Sequence, residues 1–269
     1  MPSYTRYPAL ILLAASLAFG ASPQPHAHSH NDYEQTRPLL AALELGFASV
    51  EADVYLIDGD LHVAHDAPKE LRPERTLTRL YLEPLAVHVR AHGGRVYPGY
   101  NGPFYLMIDV KTESAATYAR LKALLAPYRD MIADPHRRAG EANGPVTIFI
   151  SGFKGRRPFY EILSDPAAPV ALDGTPDELG LGIPAAVEPV VSASYTRFLK
   201  WTGAGAVAAK EQARLREFVT TAHREGKKVR LWAIPHDERV WSYLLEQGVD
   251  LLSADDLPRL ITFLSGRAK

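Results

Sequence analysis

One feature constrains this chain more than any other: short apolar runs of strand composition are separated, again and again, by stretches of helical periodicity. Phe47 to Ile57, Leu61 to His65, Phe104 to Val110, Val146 to Ile150, Val170 to Leu172, Val187 to Val191, Val229 to Ile234 and Val249 to Ser253 read as strands. Between them, Thr36 to Leu45, Leu77 to His92, Ser114 to Tyr128, Pro158 to Leu163, Ala206 to Arg224, Glu238 to Gln247 and a final Leu257 to Leu264 read as helices. Strand-then-helix order implies a parallel sheet. About eight strands in a chain of 269 residues favour a single closed (β/α)8 TIM barrel over an open doubly wound sheet.

Little else in the bulk sequence narrows the function. There is no cysteine, which excludes disulfides, thiolate metal sites and a cysteine nucleophile. A net charge of -1 gives no electrostatic reason to expect nucleic acid, although Lys154, Arg156 and Arg157 form a local basic cluster. Arg6, the apolar run Ala9 to Phe19 and the small residues Ala18 and Gly20 follow the order of a cleavable signal peptide over residues 1–20. That predicts a secreted or periplasmic protein with one domain over residues 21–269. The run is about half the ~20 residues that span a bilayer, so transient contact with a membrane surface is the membrane encounter left open. No obligate protein partner is implied. Asp173 to Ala186, rich in Gly and Pro, reads as a long surface loop.

In such barrels the reactive groups stand at the C-terminal ends of the strands, and four polar clusters fall there. Glu51 and Asp53, two apart on one strand, point to the same side. Two adjacent carboxylates repel unless a cation or proton separates them, and a hard divalent ion is the natural resolution. Asp109 ends a buried strand and completes a three-oxygen set. Lys111, two residues on, suits either a phosphate oxygen or a plain ion pair with Asp109. His65-Asp66 offers an imidazole whose tautomer Asp66 or a backbone carbonyl can fix. The segment His26 to Tyr33 offers His28 and His30 at the end of the first strand. Together these allow a division of labour in which the metal and Lys111 neutralise a phosphodiester, one histidine acts as base and the other as acid. Asn31, Tyr55, Ser151 and Ser192 stand near strand ends as further phosphate or headgroup contacts, and Trp232 suits an apolar substrate wall or the core.

Two rival readings share these residues. His28 and His30 form a His-x-His pair like the first-strand ligands of zinc amidohydrolase barrels, with His236 as a late-strand candidate. A secreted barrel that binds a ligand without catalysis is the other.

The run His30, Gly46-Phe47-Ala48-Ser49-Val50-Glu51-Ala52-Asp53-Val54, Asp58-Gly59 and His65-Asp66 resembles the opening of the glycerophosphodiester phosphodiesterase and phosphatidylinositol phospholipase C-like superfamily. Gly248 to Asp255 is similar to its closing strand. His30-Asn31-Asp32-Tyr33 resembles the signature of the group related to the fungal altered inheritance of mitochondria protein six. The resemblance implies a distorted TIM barrel with one magnesium or calcium ion on Glu51, Asp53 and Asp109. It implies His30 and His65 as the catalytic pair, and cleavage of a small-molecule or lipid phosphodiester with help from a neighbouring hydroxyl or water. Two departures stand out. His30-Asn31-Asp32 replaces the His-Arg-Gly typical of glycerophosphodiesterases, so their phosphate-binding arginine is missing. Asp109-Val110-Lys111 is instead similar to the third-ligand motif of venom sphingomyelinase D.

Overall fold

The structure is a computed structural model that describes residues 21–137, 143–152, 162 and 164–267. The expected leader, the basic cluster at 154–157 and, apart from Ile162, the helix expected at 158–163 lie outside the described residues.

Eight strands close into a barrel: β1 (Gln24–Ser29), β2 (Phe47–Ile57), β4 (Phe104–Val110), β5 (Val146–Ser151), β6 (Ala171–Gly174), β7 (Val190–Ser194), β8 (Lys228–Trp232) and β9 (Leu251–Ala254). All neighbouring pairs among them are parallel, and β1 pairs with both β9 and β2, which closes the ring. The ninth strand, β3 (Asp60–Val63), runs antiparallel to the far end of β2, from Val54↔Val63 to Ile57↔Asp60. Helices α1 (Leu40–Glu44), α2 (Glu83–Ala91), α3 (Ser114–Leu125), α4 (Tyr195–Phe198), α5 (Ala209–Arg224), α6 (Glu238–Glu246) and α7 (Leu257–Arg267) occupy the connections. No described helix is long and apolar enough to cross a membrane.

The period-two pleat sorts each strand into two faces. Outward residues such as Val50, Ala52, Leu106, Ile108, Ile150, Leu172, Val191 and Leu231 join helix residues such as Leu121, Leu215, Leu244 and Leu260 in one large core. Inward residues Tyr105, Met107, Phe149, Ala171, Val190 and Leu251 form a separate apolar plug inside the barrel. A fully buried ring such as that of Phe149 is worth roughly 2–3 kcal/mol of burial. Two residues further along each strand the inward position turns polar: Asp109 after Met107, Ser151 after Phe149, Asp173 after Ala171, Ser192 after Val190, Ser253 after Leu251. The plug is a floor, and the polar layer above it opens at the C-terminal mouth.

Three sequence expectations shift. The first helix starts at Leu40 rather than Thr36, because Leu39 takes φ 61° and its N–H donates to the Asp32 carboxylate instead of a helical carbonyl. The strand expected at Val187 to Val191 begins after Pro189, which has no N–H for the ladder. Asp173, expected at the start of a surface loop, belongs to β6 and is buried inside the barrel.

Candidate active site

The sequence His30-Asn31-Asp32-Tyr33 builds the first wall of the mouth. Asn31 adopts the left-handed conformation (φ 47°), which Asn tolerates better than most residues and which turns the chain sharply after β1. Asp32 is fully buried and accepts from Ser29 Oγ, the Leu39 N–H and the Tyr81 hydroxyl, so it anchors the turn. Tyr33 reaches inward to Asp53, with its oxygen 2.8 Å from Asp53 Oδ2.

Around this turn lies a cavity of about 420 Å³, lined by His30, Asn31, Glu51, Asp53, His65, Met107, Asp109, Lys111, Ser151, Asp173, Arg230 and Trp232. Of the residues that the sequence singled out, His30, Asn31, Glu51, Asp53, His65, Asp109, Lys111 and Ser151 are in that lining, with Trp232 half exposed at the rim rather than in the core, whereas Tyr55 and Ser192 are not in it. Glu51, Asp53 and Asp109 each offer an oxygen within 4.8 Å of the others. Asp53 and Asp109 lie directly opposite in the β2–β4 register. Burial, then Glu51, pushes Asp53 up to about 6, and burial likewise raises Asp109. Asp53 Oδ1 and Asp109 Oδ1 are buried without a hydrogen-bond partner among the described residues. Crowded oxygen donors with orphaned atoms and raised pKa values fit a hard divalent cation. The backbone respects the same space: a Cβ at Gly152 (φ 88°) would collide with Asp109 Oδ1 and the Val110 carbonyl.

Lys111 takes the ion-pair role. Its Nζ lies 2.6 Å from Asp109 Oδ2 and 2.9 Å from Asp53 Oδ2, which leaves one of its three N–H donors for a third partner. Burial opposes its charge, but Asp109 and Asp53 outweigh burial and raise its pKa.

The histidines separate by position. His28 is fully buried below the cavity, where its Nδ1–H donates to Ser49 Oγ (2.7 Å) and its Nε2 accepts from Arg230 Nε (3.1 Å). Burial, then Arg230, lowers it to about 4, so it is neutral. With both nitrogens engaged, it has no lone pair for the zinc pair of the amidohydrolase reading. His30 lies at the mouth. Its Nδ1 meets Asp255 Oδ1 at 2.8 Å, and its Nε2 is 3.9 Å from Glu51 Oε2. Burial works against the imidazolium, but Asp255 and then Glu51 outweigh it and raise the His30 pKa.

His65 arrives by another route. β2 overshoots the barrel, and β3 returns antiparallel to it, so the residues after β3 fall back over the mouth. His65 Nδ1 stands 3.1 Å from the Tyr33 hydroxyl and 3.8 Å from Asp53 Oδ2. Its partner is therefore Tyr33 and not Asp66. Tyr33 has one proton to give, and the Asp53 carboxylate is a stronger acceptor than the Asn31 amide, so the phenol oxygen is free to accept from His65 Nδ1–H. That leaves Nε2 facing outward.

Residues 19–167 match the AIM6-like phosphodiesterase domain. The chain belongs to that family. An altered inheritance of mitochondria protein 6 from Eremothecium gossypii is 31% identical over 278 residues, covering 88% of this chain and 68% of that one. A homolog from Arthroderma benhamiae is 28% identical over 267 residues, with 88% and 83% covered. Among solved structures, a glycerophosphodiester phosphodiesterase from Parabacteroides distasonis superposes with a TM-score of 0.55 at 14% identity, covering 92% of this chain and all of that one. An Oleispira antarctica phosphodiesterase, solved with the product sn-glycerol-3-phosphate, superposes at 0.50 and 16% identity over 90% of this chain and 97% of that one. At such identities the likeness concerns the barrel alone.

This AIM6-like site also contains residues that sequence reading did not select. Arg230 donates to Glu51 Oε2 (3.2 Å) as well as to His28. Burial pushes Glu51 up, but Arg230, then His28 and His30, outweigh it and hold the carboxyl well below the usual range. Asp255 orients His30, Tyr33 joins Asp53 to His65, and Asp173 lies buried in the lining. A signal existed for two of them. Arg230 interrupts an otherwise apolar strand, and Leu172-Asp173-Gly174 repeats the apolar-then-Asp ending of Phe104 to Asp109.

Proposed function

We propose that this chain is a metal-dependent phosphodiesterase that cleaves a small-molecule or lipid phosphodiester in this cavity. The observation that carries the reading is the pairing of two oriented imidazoles, His30 and His65, with three clustered carboxylates, two of which, Asp53 and Asp109, each keep a buried oxygen without a hydrogen-bond partner among the described residues. Glu51, Asp53 and Asp109 would hold one magnesium or calcium ion, which, when bound, supplies charge for the phosphate oxygens and polarises the phosphorus.

The chain's own groups do the rest. Asp255 keeps the proton of His30 on Nδ1, so Nε2 is the atom that exchanges a proton with the substrate. Tyr33 does the same for His65, leaving its Nε2 to face the opposite oxygen. One imidazole takes the proton of the attacking hydroxyl or water, and the other returns a proton to the departing alcohol. Lys111 directs its remaining N–H donor toward a phosphate oxygen, Asn31 donates from its amide at the mouth, and the Trp232 ring gives the substrate an apolar wall. Export through residues 1–20 belongs to the same reading, and the intact mass of the secreted product tests it.

The decisive experiment is turnover of bis-(p-nitrophenyl) phosphate by the mature chain, with EDTA and with magnesium or calcium restored. Activity should vanish with chelator, return with either ion and fall by about 100-fold or more in His30→Ala and His65→Ala. Metal-independent turnover, or full activity in both variants, overturns the reading.

A further inference from the structure

Two side chains in the cavity lining carry a permanent positive charge, Lys111 and Arg230, and the chemistry above uses only the first. Arg230 comes from β8, which stands directly opposite β4, the strand that leads into Lys111, in the closed ring. The carboxylate cluster lies between them. Arg230 Nη2 is 3.2 Å from Glu51 Oε2, and Lys111 Nζ is 2.6 Å from Asp109 Oδ2. The two cations thus flank one cluster from opposite walls.

A guanidinium carries five N–H donors in a planar fork. In Arg230 the edge made by Nε and Nη2 is engaged: Nε donates to His28 Nε2 (3.1 Å) and Nη2 to Glu51. The outer edge, Nη1 with the second N–H of Nη2, is open. Nη1 has no hydrogen-bond partner among the described residues and is not sealed from accessible space. Since Arg230 is only 2% exposed and lines the cavity, the space that Nη1 meets is the cavity itself. Asp109 and Asp173 feel the charge of Arg230 without hydrogen-bonding to it. Neutralising Glu51 needs only the engaged edge. Donors left open toward a cavity match an anionic oxygen that arrives from outside.

We propose that the outer edge of Arg230 binds one non-bridging oxygen of the scissile phosphodiester while Lys111 takes the other, which makes Arg230 a catalytic residue of this site. This rests on the phosphodiesterase reading above. The bond is charge-assisted, and it strengthens as negative charge collects on that oxygen in the transition state. Each cation then serves one of the two non-bridging positions, a difference that stereochemistry can read.

The test uses methyl p-nitrophenyl phosphate and the separate Rp and Sp forms of its phosphorothioate, each of which puts sulfur, a weaker acceptor, in one non-bridging position. Wild type, Arg230→Met and Arg230→Lys are compared in saturating magnesium, each with a cooperative thermal melt to show that it folds. On the oxygen diester kcat/KM should fall about 100-fold in Arg230→Met and less in Arg230→Lys. The oxygen-to-sulfur rate ratio should fall at least about fivefold for one stereoisomer and stay within about twofold for the other, as expected when only one position touches Arg230. If Arg230 acts only through Glu51, all three substrates slow by the same factor, and that result overturns the inference. An unchanged kcat/KM in both variants, or an equal change in the two ratios, does the same. Should neither variant fold, the Arg230 side-chain N–H resonances of the wild-type protein decide. They should shift on titration with inorganic phosphate, and resonances that stay in place overturn the inference. Wild-type protein inactive on the oxygen diester sinks the phosphodiesterase reading itself, and this one with it.

Discussion

At the scale of single residues the site works by fixing which nitrogen of each imidazole carries a proton. For His30 that task belongs to Asp255, whose own pKa is lowered chiefly by the same hydrogen bond. Replacing Asp255 by Ala should reduce kcat by about 10- to 100-fold. Because Asp255 raises the His30 pKa, its loss should move that titration to lower pH, readable from the ring resonances by NMR. An unmoved titration would show that Asp255 does not orient the ring. His28 gives a separate test in stability. Its pKa is about 4 when folded and about 6.5 when unfolded, so between these values the unfolded chain binds a proton that the folded chain does not. Stability from this group is therefore complete above about pH 6.5 and is lost as pH falls toward 4. The full effect is on the order of 3 kcal/mol. Denaturation measured from pH 7.5 to 4.5 should show this slope, and His28→Gln should flatten it.

At the scale of elements, short connections position the reactive groups. The β2–β3 hairpin turns at Asp58 and Gly59, both in the left-handed region, and that turn brings His65 back above Asp53. The loop after β5 makes room for the metal-facing carboxylate at Gly152. Gly152→Ala should destabilise the protein by about 1–3 kcal/mol, from the positive φ and the collision with Asp109. It should also lower activity more than a purely structural change of that size. Urea denaturation beside turnover measures both, and an unchanged activity would mean that Asp109 moves aside at no cost. Element boundaries also show where sequence reading errs. The apolar runs end early in β6 and β7 because the C-terminal positions there are polar: Asp173 in β6, and Ser192 with Ser194 in β7. In β8 the error has the opposite sign. The apolar run continues to Ile234, but Ala233 takes φ 54° and ends the strand at Trp232.

At the scale of the whole molecule the barrel concentrates four carboxylates in one mouth with Lys111 and Arg230 as near cations. A bound divalent ion should therefore stabilise the fold as well as activate it. Saturating magnesium or calcium at about 100 times Kd should add about 2.7 kcal/mol, seen as a raised melting temperature that EDTA reverses. Asp109→Asn should abolish that increment. The same variant should be no less stable than wild type without metal, since the raised Asp109 pKa means that its charge opposes folding at neutral pH. A marked loss of stability in metal-free Asp109→Asn would show that the Lys111 pair outweighs the crowding.

The division between what sequence determines and what the fold decides follows from the range of each signal. Alternation of apolar strands with helices is local, so the parallel barrel was legible from periodicity alone. Glu51 and Asp53 were legible as a pair, because residues two apart on a strand must share a face. The ends of the strands named His30, Asp109 and Lys111 as well, since a barrel places those ends at one mouth. Which groups meet across the mouth was not legible. Asp255 reaches His30 because β9 pairs with β1, and Arg230 reaches Glu51 because β8 faces β2 through the barrel interior. His28 and His30 look alike in sequence, yet one alternation of the pleat buries the first beneath the cavity and leaves the second at its edge. Asp173 followed by Gly174 has the composition of a turn, and only closure of the ring turns its side chain inward. Strand identity is a local property of the chain. The partners of a charged side chain depend on register around a closed sheet, and that register is set by contacts between residues far apart in sequence.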